Sequence, residues 1–120
     1  MTRSQQRAQG DLLILPLSEA RRLGVRLGTT RQPLAPDPNL PDRVVLAYGE
    51  ATGHHHTLPA RAVAVAERDE LGLTYLTIEE LTEVEHNGEH LPITLDPIGE
   101  PWLVIPQVEG SPWGVRPVAD

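Results

Sequence analysis

A chain of 120 residues with a net charge of −7 is long enough to bury a core of its own without disulfides or a structural metal. It has no Cys, and all ten basic residues are Arg. A disulfide framework, a thiolate zinc site, a cysteine nucleophile, a Schiff-base lysine and a Walker lysine are therefore excluded.

Charge is spread unevenly. Residues 1 to 32 carry six Arg against Asp11 and Glu19, whereas residues 67 to 100 carry ten carboxylates against Arg68 alone. So acidic a chain argues against nucleic-acid binding through a broad face, because phosphate contacts need clustered cations. Only the Arg-bearing N-terminal arm could supply them. No apolar run approaches eighteen residues and no signal-peptide pattern is present, so a soluble, cytoplasmic protein with no membrane partner is expected.

In chain order, residues 1 to 9 lack periodicity and are expected to form a mobile tail. Gly10-Asp11 opens a strand over Leu12 to Leu15 that ends at Pro16; being apolar on both faces, it should be buried on both. Leu17, Ala20, Leu23 and Leu27 then fall at helical spacing behind Ser18 as N-cap, and Gly24 and Gly28 keep this helix, near 18 to 24, to two turns at most. Residues 33 to 42 hold four prolines and predict an extended loop without regular pairing.

From Arg43 onward, strand-like runs recur at 43 to 48, 54 to 58, 61 to 67, 72 to 78, 91 to 95, 101 to 106 and 113 to 118. Residues 79 to 83 read as an exposed acidic connection. In the run 91 to 95, Leu91, Ile93 and Leu95 share one face. Trp102 and Trp113 are expected as core or interface anchors. The chain is thus expected to be all-β: a small antiparallel barrel, roll or sandwich with at most one short helix. Residues 10 to 120 would form a single β domain, with the proline-rich loop at 33 to 42.

Candidate chemistry lies in the five histidines. Tyr48-Gly49-Glu50-Ala51-Thr52-Gly53-His54-His55-His56 reads as a strand end, a glycine-bracketed turn and the start of the next strand. Alternation puts His54 and His56 on one face and His55 on the other. Two imidazoles so placed can converge on one ion at about 2.0–2.1 Å, and His90 from a later turn would complete a site with open positions. Glu50, Glu89 and His86 are candidate supporting residues, either carboxylate being able to act as general base beside a metal-bound water. The cofactor would be a divalent metal: zinc, iron, nickel or copper. Cupin-type barrels differ in that a carboxylate follows their His-x-His pair closely; here Glu67 is eleven residues past His56. The alternatives are an acid/base site without metal and a structural cluster that fixes the turn.

Gln9-Gly10-Asp11 before an apolar strand, Tyr48-Gly49-Glu50-x-Thr52-Gly53-His54-x-His56, Glu89-His90 followed by Pro92-Ile93, and Val118-Ala119-Asp120 together resemble a family of short uncharacterised bacterial proteins. The resemblance implies His54, His56 and His90 as the functional trio. This chain has Asn87-Gly88-Glu89-His90 where that family has a motif like His-Glu-Glu-His, so His86 stands one residue early. Two functional readings follow. One is a metal-binding β domain. The other is a non-catalytic interaction or assembly subunit, in which the N-terminal arm and proline loop meet a protein partner or a second copy and the histidines only shape a turn.

Overall fold

The structure, a computed structural model, describes residues 7–9 (backbone only), 12–47, 55–85 and 92–106. Their strands are β1 (Arg7–Gln9), β2 (Leu12–Pro16), β3 (Arg31–Pro33), β4 (Arg43–Ala47), β5 (His56–Pro59), β6 (Val63–Asp69), β7 (Thr74–Ile78), β8 (Thr82–Val84), β9 (Ile93–Leu95) and β10 (Trp102–Pro106). One helix, α1 (Leu17–Arg22), and a 3-10 turn at Ala60–Ala62 complete them. No described helix is long and apolar enough to cross a membrane.

Strands apolar on both faces need cover on both, and three of them lie adjacent. The main sheet runs β1-β2-β10-β7-β6-β3, all antiparallel. Leu12, Ile14, Leu76, Ile78, Trp102 and Val104 face one buried cluster, completed by Leu46, Leu58, Val84, Ile93 and Leu95 from β4, β5, β8 and β9. Leu15, Tyr75, Leu103 and Ile105 face a second cluster, covered by Leu17 and Ala20 of α1 and by Val25 and Leu73. Each fully buried leucine contributes about 1.5–3 kcal/mol relative to exposure. The result is three layers: α1 and the loop after it, the six-stranded sheet, and a smaller layer made of the β4-β5 and β8-β9 ribbons. It is a sandwich of antiparallel sheets and not a closed barrel.

Helix α1 begins two residues earlier than Ser18 as N-cap predicts. Pro16 ends β2 in extended conformation and occupies the cap position, so Ser18 is already helical. The capping runs the other way: Ser18 N–H and Oγ both donate to the Glu100 carboxylate, at 2.7 and 2.6 Å, and Leu17 N–H donates to the Pro101 carbonyl. The helix stops at Gly24, whose φ of 80° is open to glycine. Gly24 N–H bonds the Arg21 carbonyl and Val25 N–H the Ala20 carbonyl, the Schellman pattern with Val25 buried against Ala20.

Three further segments differ from expectation. Arg7–Gln9, at the end of the segment expected as a tail, pair with β2; residues 1–6 lie outside the described residues. Thr82–Val84, within the expected acidic connection, form β8, with Thr82 and Val84 buried and Glu83 exposed. Pro33 opens the proline-rich segment inside β3. Leu34 N–H donates to the Ala66 carbonyl, so alternation turns the nitrogen of Pro33 away from β6, where no donor is needed. The expected strand 113 to 118 and Trp113 lie outside the described residues.

Candidate functional site

The histidine segment enters the fold at β5. Ala47 pairs with His56 across a bulge in β4. Along β5 burial alternates: His56 is 4% exposed and Leu58 fully buried, while Thr57 and Pro59 are half-buried. His56 therefore shares the inward face with Leu58, toward the cluster between the layers. His55 is half-buried with Nδ1 shielded from solvent, and both residues interact with neighbours. His54, His86, His90, Glu50 and Glu89 lie outside the described residues. Among the described residues no group of three His, Asp or Glu side chains is placed to hold a metal ion.

What the structure does set is the direction of the chain on either side. Thr57 and Glu85 exchange both backbone hydrogen bonds, N–H to carbonyl at 2.9 and 2.7 Å, in an antiparallel bridge. Ala47 pairs with His56, and Val84 with Ile93. Ala47, His55, Glu85 and Pro92 consequently lie at one end of the small layer, and the chain leaves that end both toward 48–54 and toward 86–91.

A polar row fastens this end. Arg43 Nε and its terminal nitrogen donate to Thr57 Oγ1 at 3.1 and 3.0 Å, and the same guanidinium lies 3.5 Å from the Glu85 carboxylate. One side chain of β4 thus ties β5 to the end of β8. Arg68 of β6 donates from Nε to Thr74 Oγ1 and from its terminal nitrogen to the Leu46 carbonyl, linking the main sheet to β4.

A second polar cluster sits at the β6-β7 turn, and sequence reading missed it. Asp69, 5% exposed, accepts four hydrogen bonds: Leu71 and Leu73 N–H on Oδ1 at 2.9 Å each, Gly28 N–H on Oδ2 at 2.8 Å, and the Tyr75 hydroxyl on Oδ2 at 2.7 Å. Glu70 beside it accepts the backbone N–H and hydroxyl of both Thr29 and Thr30. Those backbone donors hold its carboxyl down at about 2. Burial, followed by the bond to Asp69, pushes the Tyr75 hydroxyl up to about 12. Arg31 stacks 3.8 Å over the Tyr75 ring and lies 3.8 Å from Glu67. The available signal was Asp69-Glu70-Leu71-Gly72, an Asx-type turn closed by a left-handed glycine. Its partner loop, Gly28 to Thr30, is some forty residues away in sequence. All of these groups saturate one another, which is the arrangement of a clamp on the loop 28–30 and not of a reactive centre.

Residues 8–107 match the model of a domain of unknown function, DUF8820, and the chain belongs to that family. Membership of an uncharacterised family agrees with the sequence-based expectation at that coarser level. No curated protein and no solved structure matches the chain.

Proposed function

We propose that this chain is a small β domain that binds a divalent metal ion through His54, His56 and His90, with Glu50, Glu89 and His86 in support. The observation that carries the reading is the Thr57–Glu85 bridge. Because that pairing is antiparallel, the chain before Thr57 and the chain after Glu85 depart from the same end of the layer, and these are the two stretches that hold all five histidines. The inward orientation of His56 gives that end one buried imidazole. Neutral imidazoles suit zinc, iron, nickel and copper alike, so the ligand set does not select among them.

A second reading has its own observation. His56 is buried on the face it shares with the core leucine Leu58, as a purely structural imidazole would be. In that case the domain is an interaction subunit in the cytoplasm, and the histidine segment only shapes the β4-β5 connection. Elemental analysis of untagged protein, with cobalt and zinc titrations, separates the two. Metal binding predicts about one ion per chain, and at least about tenfold weaker binding in His54→Ala and in His90→Ala with unchanged melting of the metal-free protein. Unchanged affinity in both variants, or no binding by the wild type, leaves the structural reading standing.

A further inference from the structure

The outer surface of the helix layer is basic, and its neighbouring carboxylates are spent. Glu100 is held by Ser18, Asp69 by Gly28, Leu71, Leu73 and Tyr75, and Glu70 by Thr29 and Thr30; Glu19 is engaged as well. Arg21, Arg22 and Arg26 are exposed and form no ion pair among the described residues. In the same layer Leu23, Leu27 and Leu71 are only partly buried against the second cluster. Three guanidinium groups with no ion pair among the described residues, on a chain of net charge −7, thus share the helix and the loop after it with incompletely covered leucines.

The complementary charge lies elsewhere on the same chain, where β7 passes into β8. Leu81 is 68% exposed, the most exposed large apolar side chain among the described residues. Glu79, Glu80 and Glu83 around it are all exposed. Of these, Glu80 alone has a cation among the described residues, Arg61 at 3.5 Å, and both members of that pair face solvent. An apolar centre with a charged rim is the usual anatomy of a contact surface.

We propose that α1 and the loop after it dock a second copy of this chain, which seats its Leu81 corner on Leu23, Leu27 and Leu71 and sets Glu79 and Glu83 against Arg21, Arg22 and Arg26. A polyanion such as nucleic acid would satisfy the arginines but leave the leucines uncovered, and the overall negative charge would repel it. The Leu81 corner supplies both partners at once. A contact of about 800 Å² per copy suffices for stable association, roughly a tenth of the chain's 7287 Å². Each copy carries both halves, so the contact is either head-to-tail or closes reciprocally into a dimer. This proposal is independent of metal binding.

Charge swapping tests it. In sedimentation velocity at low ionic strength the wild type self-associates with rising concentration, and added salt weakens the association. The double variant Arg22→Glu/Arg26→Glu and the double variant Glu79→Arg/Glu83→Arg each associate with themselves at least about tenfold more weakly, since like charges then face each other. An equimolar mixture of the two restores association, because every contact is again between opposite signs. Leu81→Asp alone also weakens the wild-type contact. The substituted side chains are exposed, and circular dichroism with thermal melting verifies that each variant is folded. A wild type that stays monomeric at all concentrations, reversed-charge variants that associate as the wild type does, or a mixture that stays monomeric each overturns the proposal.

Discussion

Replacing Asp69 with Asn changes one buried oxygen into an amide nitrogen and leaves shape and volume almost untouched. With the amide oxygen kept toward Leu71 and Leu73, two of the four hydrogen bonds survive in weaker, neutral form. The new NH₂ then points at Gly28 N–H, now 2.8 Å from Oδ2, and sets donor against donor. The Tyr75 hydroxyl can rotate to accept and loses little. Flipping the amide is worse, since it opposes two backbone donors instead of one. An unsatisfied buried N–H costs about 1–3 kcal/mol, and exchanging charged for neutral acceptors costs about 1 kcal/mol more, so Asp69→Asn should destabilise by about 3 kcal/mol. That is a large share of the roughly 5–15 kcal/mol that holds a domain folded. Urea unfolding at neutral pH would show it as a midpoint lowered by about 1–3 M at unchanged slope. Tyr75→Phe, which deletes one donor and leaves Asp69 with three, should cost about half as much. The double variant should show positive coupling between the two positions. An Asp69→Asn protein within about 0.5 kcal/mol of the wild type would refute the view that this carboxylate anchors the turn.

Gly28→Ala should destabilise by about 1–3 kcal/mol, because a Cβ there would lie 2.7 Å from Cβ and Cγ of Asp69 and 2.5 Å from Glu70 Oε1; a melting temperature equal to wild type would contradict the close packing. At high pH the raised Tyr75 value means that the native state keeps a proton the unfolded chain releases. Stability from this group is full below pH 10 and is lost as pH rises toward about 12, and Tyr75→Phe should flatten that part of the stability profile. At low pH the depressed Glu70 value has the opposite sign: its contribution is present above 4.5 and lost as pH falls through about 2. Carboxyl-carbon NMR should find Glu70 titrating well below the ordinary glutamate value of 4.5.

The parts of this fold that could be read from sequence are those whose burial is written into one short stretch. Leu12 to Leu15 and Trp102 to Ile105 are apolar at every position, and both strands are covered on both faces. The Ile93-Thr94-Leu95 alternation was equally direct. Thr82-Glu83-Val84 was not, because three residues among glutamates carry too little apolar signal, and pairing with β9 is what makes them a strand. Ser18 misled for a related reason: its hydroxyl bonds Glu100, 82 residues away, and no local pattern encodes that partner. At the candidate site, alternation divided the histidines between two faces but did not say which face is buried; the structure turns His56 inward with Leu58. That Thr57 and Glu85 lie side by side could not be derived from spacing, since it depends on the register between two distant parts of the chain.

The order β1-β2-β10-β7-β6-β3 also has a kinetic side. β6 and β7 are joined by a short turn and can associate early, but β1 and β2 reach the rest of the sheet only through β10. Leu12 meets Pro106 there and Pro16 meets Trp102. During synthesis the strands made first must therefore wait for the last described strand to leave the ribosome. Until then Leu12, Ile14 and Leu15, each at most 2% exposed in the finished fold, face solvent beside an open sheet edge. So non-local a closure is intrinsically slow. It makes the nascent chain, more than the native protein, the form exposed to aggregation.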